Sequence, residues 1–152
     1  MFVLQGGESI LSEDFRAFWS VIPATVLDDM SIPANAKILY GVLSSLMRRE
    51  GYCWPSNAQL AEAMHCSEDV VKRWVSALAE AGHEIMNHSD THPHFPQLSP
   101  EDMTRELNAC SDKIEAITGT APKFHRCPYG DYDNNAIRTI RSIGMEPIQW
   151  DV

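Results

Sequence analysis

From Ser31 onward, apolar residues recur every three or four positions in SIPANAKILYGVLSSLMRREG. Ile38, Leu39, Val42, Leu43 and Leu46 share one face, which predicts a core-facing amphipathic helix, and Gly51 fits its stop. In GYCWPSNAQLAEAMHCSEDVVKRWVSALAEAG, Ser56 is placed to cap a short helix carrying Leu60, Ala61 and Met64. A tight turn through His65 and Cys66 follows. Ser67 then starts a longer helix with Val70, Val71, Trp74, Val75 and Leu78 inward, and Gly82 ends it.

After Pro93 the pattern changes. Ser99 is an N-cap with Pro100 at the first helical position and Asp102 three residues on. Met103, Leu107, Cys110, Ile114 and Ile117 form the stripe of that helix, and Gly119 closes it. Lys123 to His125 reads as extended and leads into the loop RCPYGDYD. A last helix carries Ala136, Ile137, Ile140 and Ile143 and stops at Gly144, and MEPIQWDV reads as a strand. Strand, helix, strand in this order is the grammar of an α/β fold with a parallel sheet.

The chain has 152 residues, 44% of them hydrophobic, so a core is within reach and disorder is not the default. Net charge is −9, with six basic and ten acidic residues up to Gly82 and six and eleven beyond it. Neither half has the basic excess of a typical nucleic-acid binder, so any DNA contact needs a local patch. Cys53, Cys66, Cys110 and Cys127 show no CxxC spacing and read as buried, reduced thiols. No apolar run is long enough to span a membrane, and the opening MFVLQGGESILSEDF lacks the pattern of a signal peptide. The expectation is a cytoplasmic chain with no membrane partner.

A short helix, a tight turn and a second capped helix form a helix-turn-helix signature. IPATVLDD, NAKILYGVLSSL, GYCWPSNAQLAEAM and CSEDVVKRWVSALAEAG resemble the winged helix-turn-helix domains of bacterial and phage replication or regulatory proteins, over residues 15–82. The resemblance implies that the helix after Cys66 and Ser67 is the recognition helix. Lys72, Arg73 and Ser76 would then face DNA, with Lys72 and Arg73 reaching phosphates or guanine edges. Glu68 and Asp69 suit the helix N-terminus but repel phosphate. The alternative is a scaffold helix with a mixed-charge face. The wing expected after Gly82 is replaced by HEIMNHSDTHP.

That stretch places His88 and His92 four residues apart, with Ser89 between them and Pro93 after. GHEIMNHSDTHP, RCPYG and IQWDV resemble, in order, three motifs of the polysaccharide deacetylase (NodB-homology) family over residues 82–152, with Cys127 where proline is usual. The resemblance implies a divalent metal, zinc or else cobalt or nickel, held by two histidines and an aspartate. Such an ion polarises an acetamide carbonyl and activates a water, and a second aspartate is the general base. His88 and His92 would be the imidazole ligands. Arg126 would orient an acidic group, and the backbone N–H of Tyr129 would help hold an oxyanion. His83, His94 and His125 read as solvated or structural, and Cys127 as a stray soft ligand at most.

The family's early strand ending in a TFDDG-like pattern has no counterpart here. TVLDDMS, with Asp28 and Asp29, is the nearest text and reads as coincidence. The stretch VSALAEAGHEI suits both families, since each has an amphipathic helix ending at Gly82. The reading is therefore a chimera of mixed α/β class. Residues 1–82 are a wingless three-helix helix-turn-helix segment. Residues 83–152 are a partial (β/α)-barrel fragment without a first strand, closure or general base, in which a homo-oligomer could cover exposed sheet edges. Three functions compete: a DNA-binding module, a metallohydrolase acting on N-acetylated glycans, and a folded hybrid with an inactive metal site. Weak metal binding completed by water or Asp90, weak DNA binding and no deacetylation are expected.

Overall fold

A computed structural model describes residues 2–3, 20–50 and 55–149, and for residues 2–3 and 47–50 the backbone alone. The proposed stop at Gly51, Cys53, and Trp150, Asp151 and Val152 of the last predicted strand lie outside these. Among the described residues the elements run β1 (Phe2–Val3), α1 (Ala24–Leu27), α2 (Ala34–Glu50), α3 (Asn57–Ala63), α4 (Glu68–Glu80), β2 (Ile85–Met86), α5 (Pro100–Thr118), β3 (Phe124–His125), α6 (Asn134–Ser142) and β4 (Glu146–Pro147). The chain is a helix-rich mixed fold with short strands.

The caps explain most helix ends. Ser56 Oγ accepts from the Gln59 N–H, and the Gln59 side chain accepts from the Ser56 N–H, a reciprocal capping box that starts α3. Ser99 and Asp133 cap α5 and α6 in the same sense, accepting from the N–H groups of Asp102 and Ala136. Gly82, Gly119 and Gly144 all stand at positive φ just beyond helices. Three expectations need correction. Ser67 holds the N-cap position of α4, but its side chain makes no capping bond. The first long helix starts at Ala34 rather than Ser31, because Pro33 disfavours helix at the residue before it. Ile38 is half-exposed rather than inward, and Ala36, Leu39, Leu43 and Leu46 form the buried face of α2.

The strands all pair in parallel. Phe2 and Val3 lie opposite Ile85 and Met86, and Phe124 and His125 opposite Glu146 and Pro147. A parallel bridge between Asn87 and His125 joins the two pairs, through Asn87 N–H to Phe124 O and Arg126 N–H to Asn87 O, both 3.0 Å. The order across the ribbon is β1, β2, β3, β4. A strand ahead of β2 is not expected from the residue pattern, yet the Phe2–Val3 pair lies along its edge.

One buried cluster crosses Gly82. It contains Leu39, Leu43 and Leu46 of α2, Leu60 of α3, Val71, Val75 and Leu78 of α4, and Cys110 and Ile114 of α5. A second cluster, with Phe95, Met103, Leu107, Cys127, Ala136, Ile140 and Met145, packs α5 against α6 beneath the loops. Helix α5 therefore serves both, one along each side of its stripe.

Ile114 is 1% exposed in the first cluster. Ile114→Ala is expected to cost about 2–5 kcal/mol. In hydrogen exchange, amides of α2 and α4 should lose protection together with those of α5. Loss confined to α5 would show that the helices on the two sides of Gly82 fold separately.

Candidate functional site

Asn87 follows directly on β2 and is fully buried. Its amide nitrogen donates to Leu107 O at 2.7 Å and Ser111 Oγ at 2.9 Å on α5. Its amide oxygen accepts from Ser89 N–H at 2.9 Å and from the His125 ring at 2.8 Å. Two donors and two acceptors are the full capacity of an amide side chain. One residue thereby ties β2, β3, α5 and the following loop.

That loop, residues 88–92, turns sharply, with Ser89 at φ 65° and His92 at φ 61°. Left-handed backbone at non-glycine residues is disfavoured and persists where the surroundings over-determine it. Here side-chain oxygens take the backbone N–H groups in succession. Asn87 takes Ser89, Glu106 takes Asp90 and Thr91, and Ser89 Oγ takes His92 at 3.0 Å.

The turn brings the His88 and His92 rings to a centroid separation of 4.9 Å. His88 is 3% exposed, and its Nδ1 lies 2.7 Å from Arg126 O. A carbonyl only accepts, so Nδ1 carries the proton and Nε2 keeps its lone pair. Burial pushes the His88 pKa down to about 4, against the pull of that carbonyl, so the ring is neutral at pH 7. Burial also lowers His92, with a smaller contribution from His94. A neutral imidazole whose far nitrogen is held by a carbonyl is the form that ligates a metal. In these respects the pair fits two positions of a divalent-metal site.

Arg126 sits 9% exposed after β3, and burial lowers its pKa. What joins it directly to the histidine pair is its carbonyl. Tyr129 stands at φ 59° at the apex of a turn closed by Gly130 N–H to Cys127 O and Asp131 N–H to Pro128 O. Its exposed ring lies 4.4 Å from that of His92 and stacks on His94 at 4.1 Å with a 12° tilt. His94 Nδ1 reaches Asp131 Oδ2 at 3.0 Å. His88, His92, Arg126 and Tyr129 therefore meet, with His94 and Asp131 at the rim.

Other singled-out residues lie elsewhere or are engaged differently. Asp29 accepts from the N–H and hydroxyl of Ser31, and exposed Asp28 ends α1. Asp90, the expected stray carboxylate, is ion-paired with Lys113 of α5. Among the described residues no group of three or more His, Cys, Asp or Glu gathers around a metal position. Cys127 is buried and its thiol is pushed up to about 12, so it stays protonated and is a poor soft ligand. On α4, Lys72 pairs with Asp69 at 3.2 Å, the Ser76 hydroxyl donates to Glu80 at 3.2 Å, and Arg73 is exposed.

Residue pattern missed Asn87, Glu106 and Asp131, and read His94 and His125 only as solvated or structural. For Asn87 a signal existed: an amide directly following the apolar pair Ile85–Met86 enters the core and needs four partners. His125 is fully buried against Phe95, with ring centroids 5.0 Å apart. It is structural, as expected, but as part of the Asn87 network.

Against known proteins, the polysaccharide deacetylase profile matches residues 35–148. The chain belongs to the polysaccharide deacetylase family. The match runs back through α3, α4 and all but the start of α2. The peptidoglycan-N-acetylglucosamine deacetylase of Bacillus cereus is 29% identical over 84 residues, covering 55% of this chain and 29% of that protein. The chitooligosaccharide deacetylase of a Bradyrhizobium species is 28% identical over 85 residues, covering 55% and 37%. The family 4 carbohydrate esterase of Streptomyces lividans shares the fold with a TM-score of 0.52 at 23% identity, over 100% of this chain and 62% of its own. The chain spans well under half the length of these two curated deacetylases.

The histidine environment has a pH consequence. Unfolded histidine titrates near pH 6.5. Folded His88 resists protonation down to about 4 and His125 to about 3, in both cases chiefly through burial. Between these values the unfolded chain binds more protons, so stability falls as pH drops from 6.5 toward 4 and is insensitive to these groups above 6.5. The His88 contribution is of order 2–4 kcal/mol. Urea midpoints should fall over that window in the wild type and less steeply in His88→Gln. Parallel profiles would contradict the burial of His88.

Proposed function

We propose that the chain is a hybrid. Residues 83–152 carry a two-imidazole divalent-metal site of the polysaccharide deacetylase type, directed toward N-acetylated glycans but without hydrolytic turnover. The part of the chain up to Gly82 would supply a helix-turn-helix segment through α3 and α4. The observation that carries the first part is the His88 ring, held neutral with Nδ1–H on Arg126 O and 4.9 Å from the His92 ring.

His88 and His92 would hold zinc, cobalt or nickel through ring nitrogens, with solvent completing the shell. Such an ion supplies Lewis acidity toward an amide carbonyl and lowers the pKa of water. The Tyr129 turn borders that position and suits its assigned part, a backbone donor to a developing oxyanion. The Arg126 guanidinium would orient an acidic group. The proposal of no turnover rests on the lack of a TFDDG-like pattern in this sequence; among the described residues, Asp29 accepts from Ser31, Asp90 pairs with Lys113 and Asp131 with His94. A positioned general base is worth typically ~10²–10⁴-fold.

A second reading rests on the capped α3, the turn through His65 and the packing of α4 on α2 and α3. These support a helix-turn-helix arrangement with Arg73 outward. With Lys72 neutralised by Asp69, DNA binding would be weak, nonspecific and salt-dependent. Self-association along outer strand edges is compatible with either reading.

Calorimetric zinc or nickel titration should show one weak site that vanishes in the His88→Ala, His92→Ala double variant; identical isotherms would remove the metal reading. Acetate release from chitin oligomers or peptidoglycan with added zinc, cobalt or nickel should stay at background. Turnover abolished by Asp28→Asn or Asp29→Asn would show that the N-terminal segment supplies a catalytic carboxylate. Duplex DNA should bind only at low salt. Sub-micromolar, sequence-selective binding at physiological salt would make α4 a true recognition helix.

A further inference from the structure

Midway along the histidine loop, a carboxylate from α5 takes three hydrogen bonds. Glu106 Oε2 accepts from the backbone N–H groups of Asp90 at 2.9 Å and Thr91 at 2.8 Å, and Oε1 accepts from the Thr91 hydroxyl at 2.8 Å. One turn along α5 is buried Cys110, and Lys113 holds the Asp90 side chain by an ion pair. Leu107, next to Glu106, is fully buried and gives its carbonyl to Asn87. The helix that carries Glu106 is thus fixed to the core at that turn, and the carboxylate reaches out from it to the loop.

We infer that Glu106 is the positioning residue of the His88–His92 pair: its carboxylate holds the Asp90–Thr91 backbone so that the two imidazoles face one position. The inference rests on the reading of that pair as a metal site, although the geometry it concerns exists without metal. The physical case is local. A loop with left-handed residues at Ser89 and His92 is costly by itself. The bonds within the loop, Ser89 to Asn87 and His92 to Ser89, secure its two ends. Between those ends, Glu106 takes both remaining N–H groups, and bonds from N–H to an ionised carboxylate are shorter and stronger than neutral ones. Without them, what the described residues show on the span between the two histidines is the Asp90–Lys113 pair, whose Lys113 side chain is largely exposed and screened by solvent. Second partners of this kind typically change metal affinity ~10–100-fold.

The test uses the full chain with two variants. Glu106→Gln keeps the size but removes the charge and one acceptor oxygen. Thr91→Val removes only the hydroxyl bond. The metal-free readout is the set of imidazole nitrogen–carbon-proton correlations of His88 and His92 by NMR, with far-UV circular dichroism reporting the fold. Both histidines are expected to shift in Glu106→Gln with the dichroism unchanged, and to shift in the same direction but less in Thr91→Val. Nickel affinity should fall ~10–100-fold in Glu106→Gln. Unmoved imidazole signals in both variants would overturn the assignment, as would a shift spread equally over His65 and His83, which would mark a global change. Failure of the wild type to bind nickel would instead count against the metal reading, leaving the metal-free comparison to decide the role of Glu106.

Discussion

The buried Asn87 amide is the interaction on which the rest of the site depends. It stands where the two parallel strand pairs meet, and its backbone bridges to β3 while its side chain reaches α5. An unpaired amide at 0% exposure would be costly, so its four bonds fix the distances between the elements it touches. The carbonyl of Arg126 then sits opposite the next residue, His88, and sets the tautomer of that ring. The histidine site is built outward from a backbone register rather than from the histidines inward.

The same register links the two ends of the chain's pattern. Helix α5 packs Cys110 and Ile114 against α2, α3 and α4, and packs Met103 and Leu107 against α6 and Phe95. A helix used on both sides transmits strain between its neighbours, because close-packed interiors relax only partly. Family membership over residues 35–148 agrees with the continuity of this packing.

Much of the fold was legible because it is local. The Ser56 and Ser99 caps, the glycines at 82, 119 and 144, and the α5 stripe act within a few residues of themselves. What was not legible is nonlocal. Nothing near Phe2 shows that it pairs with Ile85, and Ile38 fits the apolar stripe yet faces outward. The site divides the same way. His88, His92 and Tyr129 stand out through the resemblance of GHEIMNHSDTHP and RCPYG to the family motifs. Glu106 and Asp131 look like ordinary solvated acids until the fold carries them to Thr91 and His94. Asp90 lies two residues from His88 in sequence, and its carboxylate pairs with Lys113 on a different element.

The central claim is that a buried amide organises a two-imidazole metal site. The most direct measurement is X-ray absorption at the zinc edge of the zinc-loaded protein, compared with Asn87→Ala. The expected wild-type spectrum shows two imidazoles by their outer-shell scattering and light oxygen neighbours for the remainder, with at least one imidazole lost in Asn87→Ala. Sulfur in the zinc shell, or an identical two-imidazole spectrum in a folded Asn87→Ala, would contradict the account.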